Sequence, residues 1–331
     1  MRKKWIRGGI FLCLVLLLLS NLNRILCVKS PHGVDQTRYL YVQPKNKIDV
    51  LFLGSSHVHC NVNTQLLWDE YGMAAYLMTG AEQPLWNSYY NLKEALKTQK
   101  PKLVVLDMFC PSRFYDDFQP GWADENLDGM RISLNKLEAV YTSVQEEQSH
   151  FFLGFTEYHS RYDQLTTEDF QNFVWNRKTQ ERWKGYTPLN RHAELTEPDM
   201  SHVTTSQEMT EKSKEYFEKI VELTKKEGIA LALISGPYLL EERDQEVYNS
   251  IGQLAEKDGL LFWNTNTPAH YWEMGLDFST DYADHAHLNE AGGAKYTAYL
   301  GKWLSQNYSF SDRRGQKGYE SWENQLMKSG E

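Results

Sequence analysis

The chain has 331 residues, with 35 Lys+Arg against 44 Asp+Glu, ten His and four Cys. Hydrophobic residues at 41% and charged residues at 24% describe a globular protein with chain enough for a full core, and no Gly-, Pro- or Ser-rich tract marks bulk disorder. Six basic residues and no acid fall within residues 1–29, so the remaining body carries 29 basic against 44 acidic residues, a net charge of −15; this excludes nucleic-acid binding, which rests on phosphate neutralisation.

The N-terminus comes first in chain order. Arg2, Lys3, Lys4 and Arg7 precede Gly8 to Leu19, twelve residues without a polar side chain, and Leu22, Ile25, Leu26, Cys27 and Val28 prolong the apolar character past Asn21, Asn23 and Arg24. A helix from Gly8 to Val28 is about 31 Å long, enough to cross a bilayer with Arg24 snorkelling outward. No small-x-small cleavage site follows Leu19, which favours an uncleaved anchor over 1–29; a cleaved signal, giving a secreted body, is the other reading. The basic cluster keeps the N-terminus cytoplasmic, which places a single-pass protein in the cell membrane with its body outside. Cys60 and Cys110 are the two cysteines of the body, either paired or separate buried thiols.

Residues 30–47 read as a polar lead-in. Ile48 to Leu53 is an apolar run ending at Gly54, a buried strand; Asn63 to Tyr71 is helical and Ala74 to Met78 a second strand. A helix from Leu85 to Thr98, stopped by Pro101, leads to a third strand, Leu103 to Met108. The pattern resumes where Thr205 and Glu208 form a capping-box signature for a helix bearing Phe217, Ile220 and Val221 and stopped by Gly228. Then follow a strand at Ile229–Ile234, a helix at Glu242–Asp258, a strand at Leu260–Trp263, a helix at Asn289–Gln306 and a polar tail over 307–331. Alternating helices and apolar strands predict an α/β fold, a flavodoxin-like, doubly wound, mainly parallel five-stranded sheet built from 48–110 and 206–306. The intervening 111–205 has no strand signal. Helical stretches at Leu134–Val144 and Glu168–Lys178, with Phe151, Phe152, Tyr158, Tyr162, Phe173, Trp175, Trp183 and Tyr186 around them, make it an inserted helical cap.

In such a sheet ligands sit beyond the C-terminal strand ends. The first strand ends in Gly54-Ser55-Ser56-His57, and the loop before the last helix carries Asp281, Asp284, His285, His287 and Asn289. A serine needs a base to become nucleophilic, and the base needs an acid to fix its tautomer. Ser56 with His287 and Asp284 supplies all three, while Ser55 is the alternative serine and helix capping the alternative role for Ser56.

On these blocks the chain resembles the SGNH/GDSL hydrolase superfamily. The match is Gly54-Ser55-Ser56 after the first strand and Asp284-His285-Ala286-His287 before the last helix. Gly-Ser-Ser-His with His-Leu-Asn is similar to the membrane-anchored branch that includes the D-alanine transfer protein of teichoic acids and the alginate O-acetylation proteins. The resemblance implies Ser56 as nucleophile, His287 as base and Asp284 as orienting acid. It also implies an oxyanion hole from the Ser56 backbone and Gly80, with Gln83 in place of an Asn that is missing from Asp107-Met-Phe-Cys110. It further implies an esterase or O-acyltransferase working on acyl, above all acetyl, esters of a cell-surface glycan without a cofactor or metal, beside a membrane-bound O-acyltransferase partner. Substrate contacts are expected from His57 and, in the Tyr158–Tyr162 run, from His159 and Arg161, whose guanidinium suits a carboxylate or phosphate; an ordinary surface Arg is the alternative. Two other functions are kept in view: a metal-dependent hydrolase on His57, His59, Cys60, Asp284, His285 and His287, and a scaffold that binds glycan or partner without chemistry.

Overall fold

The computed structural model describes residues 2–26, 33–112, 120–146, 148–152, 158–167, 169–170 and 183–323. Five parallel strands form one sheet: β1 (Val50–Gly54), β2 (Ala75–Thr79), β3 (Leu103–Asp107), β4 (Ala230–Ser235) and β5 (Leu261–Asn264), in the order β2-β1-β3-β4-β5. Val50 stands opposite Ala75 on one side and Leu103 on the other, Leu103 opposite Ala230, and Ala232 opposite Leu261. Each strand can be apolar throughout because both faces are covered. Leu51, Leu53, Tyr76, Met78, Val104, Leu106 and Leu233 face one core layer, and Val50, Phe52, Leu77, Val105, Ala232 and Ile234 the other. The α/β, doubly wound class is therefore that read from the sequence.

Among the described residues, helices α1 (Arg2–Leu26) and α2 (Val34–Leu40) precede the sheet, and α3 (Ser56–Asn61), α4 (Thr64–Tyr71) and α5 (Leu85–Ala95) link its first strands. The insert supplies α6 (Pro120–Leu127) and α7 (Leu134–Ser143); α8 (Glu211–Glu227), α9 (Glu242–Asp258), α10 (Pro268–Met274), α11 (Glu290–Asn307) and α12 (Glu320–Glu323) complete the chain. Phe217 and Ile220 of α8 and Val247 and Ile251 of α9 fill the first layer with α5; Tyr296, Leu300 and Leu304 of α11 fill the second with Val58 and Leu67. The α1 helix holds a 24-residue stretch, Lys3–Leu26, long and apolar enough to cross a membrane.

Four expectations are corrected. Residues 33–47 are not a bare lead-in: Val34 and Leu40 of α2 are buried, and the Tyr76 hydroxyl donates to the Gln36 carbonyl. The capping box at Thr205 and Glu208 opens no helix. Thr210 caps α8 by accepting from the Ser213 N–H, while the Thr205 hydroxyl is taken up by Glu246 of α9, to which it donates. The insert is helical only in part, since 187–210 contains no helix; the Glu168–Lys178 expectation lies mostly outside the described residues, as do Phe173 and Trp175.

The tail is the fourth. Beyond Tyr308 the chain folds back along β2, Arg313 forms a two-pronged ion pair with Asp49, and Tyr319 and Trp322 are buried. Trp322 donates through Nε1 to the Ala75 carbonyl and lies under the Lys184 ammonium, 4.0 Å from the ring centroid, while the Leu77 N–H donates to the Lys184 carbonyl. The free edge of β2 is thus covered by two segments from distant parts of the chain, which removes an exposed strand edge. Trp322→Ala is expected to cost about 3 to 5 kcal/mol, the range for deleting a buried aromatic. Thermal melting of the full chain in detergent measures it, and an unchanged midpoint would show that the tail is dispensable.

Candidate active site

β1 delivers the first half of the site. Gly54 has φ 150, and a Cβ there would lie 2.4 Å from the Cβ of Asp107, so only glycine fits between β1 and β3. Ser55 is the cap of α3: fully buried, it accepts from the His57 N–H through Oγ and donates to Asp107 Oδ2 at 2.9 Å. The capping role weighed for Ser56 therefore belongs to its neighbour, and Ser55 is sealed from substrate. Ser56 occupies the first helical position, where the backbone N–H has no intrahelical acceptor.

The second half comes from the loop before α11. His287 Nε2 lies 2.8 Å from Ser56 Oγ, and His287 Nδ1 lies 2.8 Å from Asp284 Oδ1. A carboxylate only accepts, so Nδ1 carries the ring proton and Nε2 is left to accept from the serine hydroxyl. The same Asp284 oxygen accepts from the N–H groups of Ala286 and His287 at 2.9 and 3.0 Å, and Oδ2 pairs with Arg191 Nη2 at 2.8 Å. Burial by itself would raise the Asp284 carboxyl, but the His287 bond and charge, the Ala286 N–H and Arg191 outweigh it and hold the group well below the ordinary carboxylate range.

Cross-links keep the halves in register. Asn61 Oδ1 accepts from the Leu288 N–H at 3.0 Å, and Thr297 Oγ1 bridges the Asn61 carbonyl and the Asn63 N–H, tying α3 to α11. From the insert, 187–195 is stitched across both: Thr187 N–H to the His59 carbonyl, Ala193 N–H to Tyr282, Leu195 N–H to Phe278, and the Glu290 N–H to Leu189.

With this geometry in view, comparison with known proteins adds little. No family model matches the chain, and no curated protein matches it. Among solved structures, a Bacteroides fragilis NCTC 9343 protein with a provisional acylhydrolase designation has 13% identity and a TM-score of 0.41, covering 81% of this chain and 95% of its own. At that distance the likeness carries no argument about function.

Other expected site residues lie elsewhere or are already engaged. The Gly80 N–H donates to the Gly54 carbonyl at 3.3 Å, and the face of Gly80 is closed by Asn126, 2.5 Å from where a Cβ would sit. Gln83 Nε2 donates to Ser88 Oγ and the Met78 carbonyl, and its Oε1 accepts from Asn91, so the amide braces α5 and has no donor left for an oxyanion. His57 is buried, stacked on Phe109 at 3.6 Å and edge-on to His287 at 5.5 Å, a wall behind the His287 ring rather than a surface open to a ligand. His159 is exposed on a 3-10 turn at 159–163, and Arg161 pairs with Asp169 and donates to the Leu26 carbonyl at the end of α1. Neither touches Ser56, His287 or Asp284.

The metal set does not gather: His59 is turned to Thr79 at 3.2 Å, His285 is exposed, and among the described residues no three His, Cys, Asp or Glu side chains converge on a common point. Cys60 and Cys110 are buried thiols, not a disulfide; burial first, then the Asp284 charge, pushes Cys60 up to about 12, which leaves it unreactive.

Two residues escaped the sequence reading. Arg191 stands in an extended stretch with no motif around it. Asp107 had a signal, a carboxyl closing an otherwise apolar strand, now seen to accept from the Ser55 hydroxyl and N–H and, through Oδ1, from the Phe109 N–H. Burial pushes Asp107 up from 3.8 to about 6, against these three hydrogen bonds. Folded Asp107 thus holds its proton more tightly than the unfolded chain does, so stability is greatest below pH 4 on this account and falls as pH rises through about 6. Relative to Asp107→Asn, the wild type should lose on the order of 2 to 3 kcal/mol over that window, read by urea unfolding at pH 4 and pH 7. A constant difference would show an ordinary carboxyl.

Proposed function

We propose that the chain is an extracytoplasmic, membrane-anchored serine esterase or O-acyltransferase acting on acyl esters, acetyl above all, of a cell-surface glycan. The observation that carries the reading is the continuous hydrogen-bonded series Ser56–His287–Asp284, 2.8 Å at each link, at the carboxyl edge of a parallel sheet. Ser56 Oγ attacks the acyl carbonyl carbon as its proton passes to His287 Nε2; Asp284 stabilises the imidazolium without taking the proton. The tetrahedral oxyanion meets the Ser56 N–H. Collapse expels the alcohol, which takes the proton from His287 and leaves an acyl-serine. Water or a sugar hydroxyl then gives its proton to His287 and attacks the acyl carbon; the acyl–Oγ bond breaks and Ser56 Oγ takes the proton back from His287, restoring the serine.

Each oxyanion donor is typically worth about 3 kcal/mol, so committing the Gly80 N–H and the Gln83 amide within the fold favours slow over fast acyl chemistry, whether the acceptor is water or a sugar hydroxyl. The glycan, the acetyl group and the membrane-bound O-acyltransferase partner rest on the resemblance of the Gly-Ser-Ser-His and His-Leu-Asn blocks; α1 supports the anchor. A fluorophosphonate probe on the full chain in detergent tests the chemistry. It should label the wild type and Ser55→Ala and spare Ser56→Ala. An unlabelled wild type would overturn the reading.

A further inference from the structure

Arg191 is the least explained group around the site. It reaches Asp284 from the insert, on a segment pinned by backbone bonds at Thr187, Leu189, Ala193 and Leu195, so its guanidinium is held in place rather than swinging on a free loop. Its side chain is 66% exposed, and only Nη2 has a protein acceptor; among the described residues Nε and Nη1 donate to none. A guanidinium offers two donor edges in one plane, and here one edge faces Asp284, which puts the guanidinium three hydrogen-bonded links from Ser56, while the rest faces solvent. A cation in that position is notable on a body with a net charge of −15. Orienting Asp284 needs no such exposure, since Asp284 Oδ1 is already fixed by the His287 ring and two backbone N–H groups.

We propose that the outer edge of Arg191 binds an anionic group, carboxylate or phosphate, on a part of the substrate that extends from the reacting ester to the Asp284 end of the series, so that the insert selects negatively charged acyl donors or acceptors. This rests on the serine chemistry proposed above. The contact is an oriented, charge-assisted pair at a partly solvated site, which weakens as salt rises.

The test needs no turnover, only the rate at which Ser56 of the full chain in detergent is phosphonylated by three matched fluorophosphonates with neutral, carboxylate and phosphate tails. The wild type should react faster with an anionic tail than with the neutral one; whichever tail gains more identifies the group. In Arg191→Gln the anionic-to-neutral rate ratio should fall about tenfold, Arg191→Lys should keep part of it, and high salt should erase it in the wild type. A purely structural Arg191 would slow all probes alike and leave the ratio unchanged, which overturns the inference and leaves the serine chemistry standing. If no probe labels the wild type, the serine reading itself fails and this inference falls with it.

Discussion

Ser56→Ala should lower ester turnover by on the order of 10⁴- to 10⁶-fold while leaving the protein folded, and His287→Ala should do nearly the same. The loss is large because the hydroxyl is the only group at the end of β1 placed to attack: Ser55 is sealed against Asp107. The fold should survive because Ser56 caps nothing, and alanine is well tolerated within a helix. Serine and base act as a unit, so the double variant should be no worse than either single one. Steady-state rates on an activated acyl ester, together with melting curves, check both halves. A Ser56→Ala protein of normal activity would leave the 2.8 Å contact with His287 without a catalytic role.

Asp284→Asn should cost about 10⁴-fold in kcat, with KM little changed. Asparagine is isosteric but puts a donor where the carboxylate accepts on both sides. With its oxygen toward His287 and the two backbone N–H groups, its NH₂ meets the Arg191 guanidinium; turned over, the NH₂ meets His287 Nδ1 and forces the ring proton onto Nε2. In that second arrangement Ser56 faces a donor and loses its base. The pH profile separates this from simple misfolding: Asp284 is held far below the ordinary range, so it stays ionised at pH 4 and above, and an acid limb in the wild type there does not come from it. A variant within tenfold of wild type would show that the acid contributes little.

The five strands were legible because a parallel sheet covered on both faces demands short apolar runs, and Ile48–Leu53 and Leu103–Met108 are such runs in a polar chain. The helix stop at Gly228 was equally plain, since it takes left-handed backbone. What hid was structure made by long-range contacts. The α2 helix buries Gln36 and Thr37 as well as Val34 and Leu40, so no amphipathic stripe betrays it, and Trp322 sits in a polar stretch whose partner, β2, is some 240 residues away. At the site, Ser56, His287 and Asp284 could be named from short blocks, and they do meet. The fates of Gly80 and Gln83 could not, because a glycine N–H or an amide looks the same in sequence whether it faces a ligand or its own fold. Arg191 was illegible for the converse reason: its place is fixed by backbone bonds of the segment around it.

The serine and its base lie 231 positions apart. All five strands, ending at Asn264, are made before the segment that holds Asp284 and His287. A chain growing from its N-terminus therefore carries Ser56 without its His287 partner through most of its synthesis, and a product cut short after β5 would contain every strand segment but not that contact. On the proposed serine chemistry, competence arrives late in time, when α11 docks on α3, and an unfinished chain lacks it.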